Sequence, residues 1–118
     1  MSGESAASVN EPLIPQPAAT PEALREAVAV LDSERLGEFL SDLARAKAES
    51  RKTSSMRPML AFYNKWSQFA ALHRYPARRE RLRQLEAIVG SEPDPVKNRA
   101  AIRGIAELLA EARAETDD

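Results

Sequence analysis

Apolar positions in this sequence recur at intervals of three and four, the period of one face of an α-helix. In "TPEALREAVAVL", Leu24, Val28 and Leu31 share a face. Thr20 suits the N-cap, Pro21 fills a first turn where its missing N–H costs nothing, and Glu22 and Glu26 lie near the positive end of the helix dipole. "DSERLGEFLSDLARAKAES" restarts at Asp32 or Ser33. It predicts a buried face of Leu36, Phe39, Leu40 and Leu43 and an end within "SRKTSS". Gly37 weakens this helix by about 1 kcal/mol relative to alanine.

The strongest pattern is "SMRPMLAFYNKWSQFAALH". Met59, Phe62, Tyr63, Trp66, Phe69 and Ala70 form a continuous apolar stripe behind a Ser55 cap, with Pro58 early enough to be tolerated. The stripe reads as the centre of the core. Trp66 and Tyr63 keep polar handles, so one edge of it should reach the surface. "YPARRERLRQLEAIVG" starts at Pro76 and stops at Gly90, with Leu82, Leu85, Ile88 and Val89 as its apolar side. After a "SEPDP" loop, Asp94 caps a last helix whose expected seam is Ile102, Ile105, Leu109 and Ala112. Gly104, near Ala101, would let a neighbouring helix come close.

The fold class that follows is all-α, a small bundle of four to five short helices with a disordered N-terminal leader. Residues 1–19, with Pro12, Pro15 and Pro17, form that Pro-rich leader, and 20–115 form the helical domain. Leu13 and Ile14 either dock extended on the domain or do nothing. No stretch shows the period of a strand, and no repeat is visible.

Composition narrows the chemistry. The chain has 118 residues, no cysteine and one histidine, so thiolate catalysis, disulfides and histidine-rich metal sites are excluded. No apolar run approaches the roughly 20 residues that span a bilayer. The start "MSGESAASVNEP" lacks the basic and apolar regions of a secretory signal, and a cytoplasmic location is expected. His73, beside Arg74 at a helix end, reads as a surface or capping residue. The four glycines are scattered and form no phosphate loop. No acid stands inside an apolar stripe, where a raised pKa would mark acid–base work. Neither enzyme activity, nor a cofactor, nor a metal is expected.

Charge is what remains. The net charge of −1 conceals three blocks. Residues 1–42 hold two basic groups and eight acids, a net −6; 43–83 hold eleven and two, a net +9; 84–118 hold four and eight, a net −4. Either the ends neutralise the middle within one bundle, or the basic block faces an acidic partner. "HRYPARRERLR" concentrates the question. On a helical wheel Arg79 and Arg83 lie well away from Leu82 and Leu85, Arg81 flanks the other side, and Arg78 points with the apolar face but past the edge of the core. Arg79 and Arg83 are like charges four apart and require an acidic neighbour, from Glu86, from an acidic helix of the chain, or from a partner. The candidate binding residues are therefore Arg74, Arg78, Arg79, Arg81 and Arg83, joined by Lys65 and Tyr75.

Two segments, "LREAVAVLDSERLGEFLSDLARAKAES" and "MLAFYNKWSQFAALHRYPARRERL", resemble a family of short actinobacterial proteins without assigned activity. The resemblance covers roughly residues 22–90. It rests on Leu36 and Phe39, on Trp66, Phe69 and Ala70, and on Arg78 to Leu82. Such proteins are often encoded beside toxin–antitoxin genes, which implies an antitoxin-like or regulatory role with a toxin-like partner, and no functional residue transfers. The expected function is non-enzymatic binding of a partner protein without a membrane. Nucleic-acid binding through 74–83 and a homo-oligomeric helical scaffold are the alternatives.

Overall fold

The computed structural model describes residues 11–116, and all of the regular structure in them is helical. The helices are α1 (Pro21–Leu31), α2 (Leu36–Thr53), α3 (Arg57–His73), α4 (Pro76–Ser91) and α5 (Pro95–Thr116), with a 3₁₀ turn at Ser33–Arg35 before α2. No helix among the described residues is long and apolar enough to cross a membrane.

The starts and stops follow local chemistry. Thr20 Oγ1 accepts the Ala23 N–H at 3.1 Å, and Asp32 Oδ1 accepts the Glu34 N–H at 3.2 Å. α2 ends at Ser54, whose φ of 52° is left-handed and turns the chain within three residues. Ser55 Oγ then accepts the Arg57 N–H at 3.1 Å to open α3. Between α4 and α5, the Asn98 amide donates to Val89 O at 3.0 Å and Glu92 O at 3.2 Å, and Asp94 Oδ1 caps Val96. α4 runs one residue past the expected stop at Gly90, because Ser91 and Glu92 keep the helical hydrogen-bond pattern.

The described residues divide into two compact units, Ile14–Ala70 and 11–13 with 71–116. The first is built around Leu24, Val28, Phe39 and Trp66, which are fully buried. Phe39 meets Trp66 edge-on, with centroids 5.2 Å apart, and lies 5.2 Å from Phe62. Each such ring pair contributes about 1 kcal/mol beyond its buried area. Ile14 packs on this core, and the Gln16 amide donates to Ser67 O at 3.0 Å. Of the pair considered for docking, Ile14 packs on the core from a bend and Leu13 is exposed; residues 1–10 of the expected leader lie outside the described residues. The second unit is small-residue packing: Ala71, Leu72, Leu82 and Ala112 are buried, with Ile105 and Leu108 against them. There the Leu13 N–H donates to Arg74 O at 2.6 Å. Gly104 lies against Leu85, so close that a Cβ would stand 3.1 Å from the leucine Cδ1.

Three expected faces are turned. Leu40 is exposed and Ala46 is buried in its stead on α2. On α4 the apolar side closes over Leu82 and Leu85 and leaves Ile88 exposed. On α5 the seam is not Ile102 and Leu109, which are 51% and 36% exposed; the inward positions are Ala101, Ile105, Leu108 and Ala112. Ala101 and Gly104 let α4 approach α5 closely, and Ile102 and Leu109 are left outside.

Candidate functional site

Seven residues were expected to bind, and the structure sorts them into three environments. The first is internal. Arg78 stands in the first turn of α4, and rather than passing the edge of the core it turns inward, with its side chain 16% exposed. Its Nη1 donates to Ala71 O at 2.7 Å, and its Nη2 pairs with Glu115 Oε2 at 2.6 Å. Glu111 approaches its Nε at 3.9 Å. Arg74, also buried, pairs with the other Glu115 oxygen. Both guanidinium carbons sit 4.6 Å from the centre of the Tyr75 ring. Two like charges four residues apart are held together by one shared carboxylate and one aromatic face. Burial alone would raise the Glu115 pKa, but the hydrogen bonds from Arg78 and then Arg74 outweigh it and hold the carboxyl below its usual range.

The second environment belongs to Lys65, in the Ile14–Ala70 unit. Its Nζ lies 2.6 Å from Asp42 Oδ2 and 3.0 Å from Glu38 Oε2. Arg35 grips Glu38 with two hydrogen bonds, at 3.0 and 3.1 Å. Its guanidinium also stands 5.3 Å from the Trp66 ring and 5.0 Å from Phe69. The Arg35 bonds, followed by that of Lys65, lower the Glu38 pKa to about 2. The Asp42 bond raises that of Lys65. The Trp66 indole donates to the same Asp42 oxygen at 3.2 Å. An alternating array of two cations and two acids covers the polar edge of the tryptophan, so Lys65 works as part of this lattice.

The third environment is the remainder of α4, with Arg79 and Arg83 on one side and Arg81 on the other. Arg83 meets only Glu80, at 3.4 Å, with both side chains more than half exposed. Arg79 and Arg81 have no ion-pair partner among the described residues, and Glu86 is not within ion-pair distance of Arg79. The basic segment is therefore divided: α5 supplies acids to Arg74 and Arg78, and nothing described supplies them to Arg79 and Arg81.

The partners Asp42, Glu38, Glu111 and Glu115 were not singled out from the sequence. A usable signal did exist for one of them: Trp66 is the only tryptophan, and its N–H requires an acceptor. Among the described residues no group of three or more histidines, cysteines or acids could hold a metal ion. Exposed arginines can pair with anionic groups by charge and by the planar fork of the guanidinium.

No curated protein and no solved structure matches this chain. A family model described as "Family of unknown function (DUF6247)" matches residues 12–113, which takes in all five helices but for the last three residues of α5, and the chain belongs to that family.

Proposed function

We propose that this chain is a non-enzymatic interaction protein that binds an acidic partner protein through Arg79, Arg81 and Arg83 of α4. One observation carries the reading. The inward arginines of the basic segment are matched by Glu115 and Glu111, whereas Arg79 and Arg81 are left without a counter-charge and Arg83 has a single exposed one. Like charges at i,i+4 cost a few tenths of a kcal/mol each, and an acidic surface laid across them reverses the sign. In its specific form the role is cytoplasmic, actinobacterial and antitoxin-like. The exposed acids Glu22, Glu26 and Glu34 around α1 would meet a basic patch of that same toxin-like partner.

The test is co-purification of the tagged chain with the product of its adjacent gene, with nuclease treatment, for the wild type and for a triple variant with Arg79, Arg81 and Arg83 changed to glutamate. A stoichiometric protein partner lost in the variant is expected. Recovery of the chain alone, or of a partner indifferent to the three charges, removes the proposal. Recovery of nucleic acid whose affinity falls steeply with salt would transfer the site to that alternative.

A further inference from the structure

A second basic surface lies in the Ile14–Ala70 unit, at the turn joining α2 to α3, and the proposed function does not use it. Residues 45–57 carry five basic groups and one acid, Glu49. Lys47 and Arg51 share a face of α2, Lys52 follows, and Arg57 opens α3. All four are exposed, and none makes an ion pair among the described residues. The left-handed Ser54 reverses the chain between them, which gathers them at one end of the helical hairpin.

Two apolar side chains stand among these cations. Met56 is 61% exposed and Leu60 is 55% exposed, and they lie four residues apart on one side of the start of α3. Against a nucleic-acid backbone these two would gain nothing. The α3 N-terminus is also a poor phosphate seat, because the Arg57 N–H is already bonded to Ser55, and Pro58 has none to give. At the interface of an anionic bilayer both features are used: cations sit at headgroup level, and the methionine and leucine enter the acyl boundary.

We propose that the α2–α3 hairpin tip is a peripheral docking surface for an anionic lipid bilayer, through Lys47, Arg51, Lys52 and Arg57 for charge and Met56 and Leu60 for insertion. The attachment lies on the membrane surface and does not cross it.

The experiment is sedimentation of the full chain with phosphatidylcholine vesicles, with and without phosphatidylglycerol, at low and high salt. Binding only to the anionic vesicles, weakened by salt, is expected. Each cation replaced by glutamine should lower partitioning about fivefold. Met56→Ser with Leu60→Ser should lower it about tenfold while leaving the salt dependence unchanged. Both positions are exposed, so circular dichroism should show the helices intact. No sedimentation with anionic vesicles at low salt overturns the proposal. So does binding that is indifferent to the Met56 and Leu60 changes, or duplex DNA displacing the vesicles with an affinity that those changes leave untouched.

Discussion

The indole N–H of Trp66 donates to Asp42 Oδ2 at 3.2 Å, and that oxygen also receives Lys65 at 2.6 Å. A fully buried ring is thus satisfied by a carboxylate held in place by a surface lysine. Asp42→Ala should cost about 1–3 kcal/mol, since it leaves a buried donor without its acceptor. Asp42→Asn keeps a carbonyl oxygen for the indole and should cost less. Urea unfolding followed by Trp66 emission separates the two, and equal midpoints for both variants would contradict this role of Asp42.

Acid should weaken the fold in a defined window. The Glu38 pKa is depressed from 4.5 to about 2, so its stabilisation is complete above the unfolded value and is lost as the pH falls from about 4.5 toward 2. Glu115 is depressed too and acts in the same direction. Glu38 is 43% exposed, so its part is at most about 1 kcal/mol. Lys65 is raised, and its share persists below 10.5 and disappears only as the pH climbs above that value. Unfolding free energies measured down this range should fall less steeply for Glu38→Gln than for the wild type.

Arg78 and Arg79 are adjacent in sequence and opposite in consequence. Arg78→Ala strips a partner from Glu115 and a donor from Ala71 O, and should destabilise by about 1–3 kcal/mol. Arg79→Ala should stay within about 0.5 kcal/mol. A double-mutant cycle between Arg78 and Glu115 should show coupling, whereas one between Arg79 and Glu115 should show none.

Two glycines should respond in opposite ways to alanine. A Cβ on Gly37 meets nothing within 4 Å, so Gly37→Ala should stabilise by up to about 1 kcal/mol. A Cβ on Gly104 would meet both methyl groups of the buried Leu85, at 3.1 and 3.2 Å. The strain should cancel or exceed the propensity gain. Gly104→Ala should therefore be better tolerated by about 1 kcal/mol in a Leu85→Ala background, and thermal melts of the four combinations measure it.

Periodicity located the helices because Leu24, Val28, Phe62 and Trp66 repeat at helical spacing and carry a strong apolar signal. On α5 it found Ile105 and Ala112 but took Ile102 and Leu109 for Ala101 and Leu108, because Ala101 and Gly104 are too small to carry the signal. The pattern then follows Ile102 and Leu109, which are bulky but outside. The charged partners were illegible for another reason. Arg74 meets Glu115 across 41 residues and Lys65 meets Asp42 across 23, and only tertiary register brings such pairs together. The spacing of Arg79 and Arg83 called for an acidic neighbour, and the described residues supply one to Arg83 alone; that Arg78 has one was not readable.

Glu115 lies in the last turn of α5, two residues from Arg113. Helix ends fray, and frayed ends are where proteases cut. A cut after Ala112 would withdraw the carboxylate shared by Arg74 and Arg78. The trimmed chain would turn an internal ion pair into additional basic surface beside Arg79 and Arg81. The net charge around the Tyr75 ring thus depends on one carboxylate in the last turn of α5.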